Sequence, residues 1–272
     1  MIKNSVSAVI VTYNGSIKLK DNIDSLLKQV EMLVIIDNCS EENLSGILNY
    51  AEENGVKVIK NTVNKGIAVA LNQALSMATE YNYFLTMDQD TILSDDCVKI
   101  MLTELEEYKL ASIGPSYNVA VANKAPKAIN FLITSGNLTK TQVAIETGGF
   151  DDWMFIDGVD IDFSLKIRAL GYKIAQSSKA RMVHSIGENE VARFLFFAIP
   201  IRTHSLLRYY YMARNNLYLQ KKHKKSFPFY CFKLRISFFL FKLKIFFLYK
   251  NKYDILVSIR CGRADARKHK TQ

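Results

Sequence analysis

The sequence predicts an α/β domain built on a doubly wound, mainly parallel sheet, followed by a basic, aromatic helical extension. Three observations carry this. Between residues 6 and 110, short runs continuous in Val, Ile and Leu alternate with helix-like stretches. Polar residues cluster where those runs stop, and both texture and charge change after Ala192. Strands without polar alternation are buried on both faces, and strands separated by helices of roughly 10 to 15 residues mark βαβ units.

In chain order the predicted elements are a strand at VSAVIVTY, a helix at IKLKDNIDSLLKQV, a strand at MLVIIDN and a helix at EENLSGILNYAEENG. A strand at VKVIKN, a helix at KGIAVALNQALSMATE, a strand at YFLTMDQD and a helix at DDCVKIMLTELEEYK follow. From Ala111 to about Gly187 the rhythm weakens. Strands are expected at ASIGPSY, NFLITS and KARMVHS, and short helices near residues 140–147 and 160–170. These complete a first domain, residues 1–192; residues 193–272 form the helical region.

The 272 residues carry a formal charge of +10, unevenly spread. Up to Ala192 there are 17 basic and 24 acidic residues, net −7; beyond it there are 19 basic and 2 acidic, net +17. A basic segment points to nucleic acid or to an anionic membrane surface, and the residues between its charges are mostly aromatic and aliphatic. Cys39, Cys97, Cys231 and Cys261 are widely spaced, without a C-x-x-C pair, which argues against a zinc site or disulfide framework and fits a reducing compartment. The apolar stretch Val6–Val11 is too short for a signal peptide and suits a first strand, so a cytoplasmic location is expected.

No C-terminal stretch approaches the ~18 to 20 uncharged apolar residues of a transmembrane helix. The run FPFYCFKLRISFFLFKLKIFFLY contains Lys233, Arg235, Lys242 and Lys244, so the expectation is a segment lying on a membrane. On an ideal helix Lys233 and Lys244 share one side and Arg235 and Lys242 the opposite one, so no single polar face results; a break or snorkelling lysines are needed. A helical pair packed on the domain, with its basic residues in solvent, is the alternative.

Ligands of doubly wound sheets bind outside the carboxyl ends of strands, and those ends carry Thr12-Tyr13-Asn14, Asp37-Asn38 and Asp88-Gln89-Asp90. Two carboxylates one residue apart could cap a helix or shape a turn. They could also hold Mg²⁺ or Mn²⁺, which takes hard oxygen ligands and is commonly shared with substrate phosphates. Thr12-Tyr13-Asn14-Gly15 supplies an aromatic plane, an amide and a flexible turn, and Asp37 can accept a hydrogen bond from a base or ribose. Asn64-Lys65-Gly66, opening the third helix, offers helix N-terminal N–H groups and a cation to an anion. Neither G-x-x-x-x-G-K-[ST] nor G-x-G-x-x-G occurs at these turns, so a P-loop or dinucleotide fold lacks its motif.

The ordered set VIVTYN, IIDNCS, NKGIAVALNQAL, MDQD, GGFDDWMFIDGVDIDFSLKIRALGYKI and HSIGE resembles the family 2 inverting glycosyltransferases of the GT-A fold, from about Val6 to Glu188. The resemblance implies that Thr12, Tyr13 and Asp37 hold the nucleotide, that Asp88 meets ribose or donor sugar, and that Asp90 binds the metal. In most of the family a Glu-Asp pair stands where this chain has Val159-Asp160, and the aspartate is the general base; Asp160 is the expected base here. Such a base takes the acceptor hydroxyl proton as that oxygen attacks the anomeric carbon. Asp157 and Asp162 are rivals, each equally readable as a helix-start or solvated carboxylate. His184 is implied to meet metal or diphosphate, against a core or surface role. Trp153 and Asp157 are acceptor candidates, Trp153 being equally readable as core. Lys166 replaces an arginine common in relatives, and no phosphate contact is assigned to it or to Arg168.

The Val-Asp form of the base motif, with HSIG after it and RYYYMARN in the C-terminal region, is most similar to the bacterial rhamnosyltransferase branch. That implies a dTDP-rhamnose donor and a lipid-linked oligosaccharide acceptor in surface polysaccharide synthesis, at the inner face of the cell membrane. Donors such as UDP-galactose or UDP-glucose are the alternative. Lysines near an anionic surface and interfacial aromatic rings independently favour a membrane partner for residues 193–272 over nucleic acid. A nucleotidyltransferase, a nucleic-acid binder using the basic tail and a catalytically dead binding protein are competing readings.

Overall fold

The computed structural model describes residues 5–15, 17–117, 125–184, 190–194 and 197–269, with backbone alone at residues 184, 190–194 and 197–199. The chain divides into two units, Met1–Phe155 with Val159–Ser185, and Ile156–Gly158 with Ile186–Gln272.

In the first unit β1 (Val6–Thr12), β2 (Met32–Asp37), β3 (Lys57–Lys60) and β4 (Tyr83–Asp88) are separated in turn by α1 (Leu19–Leu27), α2 (Ser45–Glu53) and α3 (Ile67–Leu75). β1 pairs in parallel with both β2 and β4, and β2 with β3. In β1, β2 and β4 the apolar core is sealed, with Ile10, Ile35 and Leu85 fully buried and each contributing roughly 1.5–3 kcal/mol of transfer free energy, whereas β3 buries Val58 and Ile59 only in part. The spatial order β3-β2-β1-β4 reverses direction between β1 and β4. That reversal is where a doubly wound sheet opens a crevice at its carboxyl edge.

The second half of the sheet is mixed. β5 (Thr91–Leu93), α4 (Cys97–Glu107), β6 (Ser112–Tyr117), β7 (Lys127–Ala128), β8 (Asn137–Lys140), α5 (Thr141–Glu146), α6 (Val159–Ala169) and β9 (Ile174–His184) complete it in chain order. β8 runs antiparallel to β4 and β6, β6 is parallel to β9, and β5 and β7 pair antiparallel to β9. The strand expected at NFLITS is not one. There Leu132 N–H donates to the Ser164 hydroxyl at 3.0 Å and the Thr134 carbonyl accepts from the Thr86 hydroxyl, so side chains take the place of a ladder. The strand begins two residues after that segment, at Asn137.

The second unit opens with an antiparallel pair, β10 (Glu190–Phe194) and β11 (Phe197–Ile201), where only helix was expected. α7 (Leu206–His223), α8 (Pro228–Leu248) and α9 (Lys252–Lys268) follow. The Ser205 hydroxyl caps α7 by accepting from Arg208 N–H. Gly262 lets α9 lie against α7, because a Cβ there would strike the Tyr210 carbonyl. Tyr209, Ala213, Phe238, Ile245, Ile255 and Ile259 form this unit's core. No helix among the described residues is long and apolar enough to cross a membrane.

Candidate active site

The site is assembled at the carboxyl edge of the sheet in the first unit. β1 ends at Thr12, buried, and its hydroxyl donates to Gln89 Oε1 at 2.7 Å. The same oxygen accepts from Tyr13 N–H at 3.0 Å, and Gln89 Nε2 donates to the Gly15 carbonyl at 2.9 Å. The residue between the two aspartates therefore ties the end of β4 to the turn after β1, across the crevice between them. Tyr13 is left 41% exposed, a ring surface open to a ligand.

A second knot closes the end of β2. Asp37 Oδ1 accepts from Ser40 N–H and from the Ser40 hydroxyl, at 3.1 and 2.6 Å, and that hydroxyl accepts from Asn14 N–H at 2.9 Å. Next to it the buried Asn38 donates to Asn64 Oδ1 at 2.9 Å and accepts from Asn61 Nδ2 and from Lys65 N–H, both at 3.1 Å. Gly66 N–H donates to Asn64 Oδ1, and Ile67 N–H to the Phe155 carbonyl. The amide groups of Lys65, Gly66 and Ile67, expected to face an anion, are thus engaged within the protein; what this turn offers a ligand is the Lys65 ammonium. Gly66, at φ 81°, has no room for a Cβ beside the Phe155 backbone, which makes it a packing residue.

Asp88 closes β4. Its N–H donates to the Ser135 hydroxyl and its Oδ1 accepts from the Thr134 hydroxyl, both at 3.3 Å, and its carbonyl accepts from Asn22 Nδ2 at 2.8 Å. Asp90 follows in the turn, half-buried. In the antiparallel pairing of β5 with β9, the backbone of His184 lies opposite Thr91, the residue after Asp90. The His184 side chain lies outside the described residues, as do Ser185–Glu188 of its motif. Among the described residues no group of three or more His, Cys, Asp or Glu side chains could hold a metal. The Asp88 and Asp90 carboxylates nevertheless fit Mg²⁺ or Mn²⁺, which commonly takes one or two protein carboxylates and completes its shell with phosphate oxygens and water.

Asp160 stands in the first turn of α6, where its carboxylate accepts from Ile161 N–H at 2.8 Å. Asp162, a rival, is fully buried, with Lys166 Nζ 3.7 Å from its carboxylate and donating also to the Gly149 carbonyl. The second rival, Asp157, belongs to the other unit, where its carboxylate is 3.2 Å from the Arg208 guanidinium. Trp153 is half-buried in the loop before α6, its N–H donating to Asp151 at 3.1 Å. That loop is anchored by Asn72 of α3, whose side chain both donates to the Phe150 carbonyl and accepts from Phe150 N–H, each at 2.8 Å.

The sequence placed Gln89 and Asn38 at strand ends without a role, and did not single out Asn72 or, above all, Tyr117 at the carboxyl end of β6. Partial burial, then the negative charges of Asp160 and Asp88, push the Tyr117 hydroxyl up to about 12. One phenol therefore feels both the carboxylate that ends β4 and the carboxylate that opens α6. A polar aromatic residue closing a predicted strand was the available signal.

The family model for glycosyl transferase family 2 matches residues 7–150, more than half of the chain. The chain belongs to glycosyl transferase family 2. Among its relatives is the dTDP-rhamnosyl transferase RfbF of Shigella flexneri, 27% identical over 247 residues that cover 82% of each protein. The poly-beta-1,6-N-acetyl-D-glucosamine synthase of Staphylococcus epidermidis is 27% identical over 125 residues, 44% of this chain but only 30% of that one. The fold of this family 2 member is similar to that of GalNAc-T7 crystallised with UDP, GalNAc and Mn²⁺, with a TM-score of 0.66 at 14% identity, covering 84% of this chain and 49% of the other. It is also similar to S. aureus TarS 1-349 in complex with UDP-GlcNAc, with a TM-score of 0.57 at 16% identity, covering 83% and 73%. The chain is a glycosyltransferase of GT-A type, and it resembles the rhamnosyltransferase branch.

Proposed function

We propose that the protein is an inverting, metal-dependent rhamnosyltransferase that moves rhamnose from dTDP-rhamnose to a hydroxyl of a lipid-linked oligosaccharide in bacterial surface polysaccharide synthesis. The observation that carries the reading is the convergence on one carboxyl edge of the polar ends of β1 and β2, the Asp88–Asp90 turn, and Tyr117, which feels Asp88 and Asp160 together.

In this reading the Tyr13 ring and Asp37 bind the nucleoside, with Thr12, Asn14 and Asn64 holding the turns that present them and Lys65 offering its charge to phosphate. Asp88 meets ribose or donor sugar. Asp90, with Asp88 and, as the motif resemblance implies, His184, would hold Mn²⁺ or Mg²⁺, which when bound offsets the diphosphate charge and makes it a better leaving group. Asp160 accepts the proton of the acceptor hydroxyl as that oxygen bonds to the anomeric carbon; the bond from that carbon to the diphosphate breaks, its electron pair leaving with the nucleotide. A single displacement inverts the anomeric centre. Asp162, buried against Lys166, orients α6 and takes no proton. Trp153 is proposed to contact the acceptor. The enzyme would work as a peripheral protein on the cytoplasmic face of the cell membrane, with residues 193–272 as the membrane-associating region.

The relative RfbF, named for dTDP-rhamnose transfer, supports this donor. A UDP-sugar donor is the second reading, favoured by neighbours solved with UDP and UDP-GlcNAc. A thermal-shift screen of dTDP-rhamnose, UDP-galactose, UDP-glucose and UDP-N-acetylglucosamine with Mn²⁺ separates them. The expected result is stabilisation by dTDP-rhamnose that disappears with EDTA. Stabilisation by a UDP-sugar alone assigns the second donor, and no response to any nucleotide sugar overturns both readings.

A further inference from the structure

α8 presents three different faces. Cys231, Phe238 and Ile245, one every seven residues, are buried in the second unit. A second stripe is made by Phe229, Phe232, Ile236, Phe239, Leu243 and Phe246, whose steps of three and four residues keep them on one side of a helix of 3.6 residues per turn. These side chains are exposed, from 39% at Leu243 to 89% at Phe229. Scattered exposed hydrophobics are ordinary, but a contiguous apolar stripe along a whole helix marks an interaction surface.

The cations give the stripe its character. On the same helical geometry Lys233 and Lys244 run along one edge of it, and Arg235 and Lys242 along the other. The distribution that spoils a single polar face thus becomes a pair of rails, because a third face is taken up by packing. Lys242 Nζ lies 5.7 Å from the Phe239 ring centre, Lys252 Nζ 5.1 Å from that of Phe246, and Lys244 Nζ donates to the neutral Pro200 carbonyl at 2.8 Å. α8 contains no Asp or Glu.

We propose that this stripe docks on an anionic lipid bilayer, its phenylalanines in the headgroup–acyl boundary and its two cation rows reaching lipid phosphates. Charge complementarity selects this occupant. A second copy set face to face would bring the same cation rows of both chains together with no carboxylate on either helix to compensate. The inference narrows the membrane-associating region to one face of one helix, and it is independent of which sugar is transferred.

The test is co-sedimentation of the full chain with phosphatidylcholine vesicles, with and without phosphatidylglycerol. Binding should require phosphatidylglycerol and weaken as salt is raised. Lys233→Gln with Lys242→Gln should lower vesicle affinity roughly 25-fold, about fivefold for each cation removed from the surface. Phe232→Ser with Phe239→Ser should lower it at least tenfold, with unchanged circular dichroism because both side chains are exposed. The proposal is overturned if anionic vesicles do not bind the wild-type chain. It is equally overturned if those phenylalanine substitutions dissolve a dimer instead of a vesicle complex, or if RNA binds under conditions in which vesicles do not.

Discussion

The two units of this chain use apolar residues in opposite ways. In the first, Ile10, Ile35 and Leu85 stand in strands sealed on both faces, and polar side chains are concentrated where the strands end. In the second, α8 buries one residue in seven and leaves most of its phenylalanines in solvent. Charge divides along nearly the same boundary, −7 over residues 1–192 and +17 over residues 193–272. The contrast teaches that hydrophobic content does not by itself indicate a core: in the first unit it specifies a fold that positions a site, and along α8 most of it specifies a surface beside a core of the second unit's own.

The contrast is broken most simply by truncating one side chain of each kind. Leu85→Ala, in the middle of the sheet, should lower stability by about 2–5 kcal/mol in urea unfolding. Phe232→Ala, larger in atoms removed but 63% exposed, should stay within about 0.5 kcal/mol. Equal losses would mean that the α8 stripe is covered and that the two units are built alike.

Within α6 the same opposition recurs between two carboxylates. Asp162 is fully buried against Lys166, whereas Asp160 is only half-buried and bonded to a local N–H. Asp162→Ala should cost about 2 kcal/mol of stability, less than a fully enclosed pair because Lys166 keeps some solvent contact and its bond to the Gly149 carbonyl. Transfer per folded molecule should survive. A variant of normal stability that cannot transfer sugar would move the proton chemistry to Asp162.

The smallest expected effect concerns Tyr117. Burial is the largest cause of its raised pKa and remains in Asp160→Asn, but the next cause, the Asp160 charge, is removed. The Tyr117 ring resonance, assigned by its loss in Tyr117→Phe, should therefore titrate below about 12 in that variant yet above the ordinary tyrosine range. Because the folded-state value lies above the unfolded one, the stability this phenol contributes is present below about pH 10 and is lost as pH climbs toward about 12. An unmoved titration would place Asp160 away from Tyr117.

Much of this was legible in the sequence because the signals were local. The first four strands are short, mostly apolar runs, and Thr12, Asp37 and Asp88 mark the ends of β1, β2 and β4. What escaped depends on partners distant in sequence. Gln89 acts on Thr12, Tyr13 and Gly15, and Asn72 acts on Phe150; neither residue carries a signal without the fold that joins them. NFLITS has strand composition, yet Ser164 and Thr86 satisfy its backbone in other ways. The charges of α8 looked contradictory on a two-faced helix because the packed third face depends on α7 and α9.

In the proposed mechanism labour is divided, with Asp88 and Asp90 holding the leaving group and Asp160 removing the proton. The most direct test is calorimetric binding of dTDP-rhamnose, with and without Mn²⁺, measured beside sugar transfer for Asp160→Asn and Asp90→Ala. Asp160→Asn is expected to keep Mn²⁺-dependent donor binding and to lose transfer by roughly 10²- to 10⁴-fold, the range for a positioned general base, whereas Asp90→Ala is expected to lose the Mn²⁺ dependence of binding itself. Near-wild-type transfer by Asp160→Asn, or unchanged Mn²⁺-dependent binding by Asp90→Ala, would contradict this mechanism.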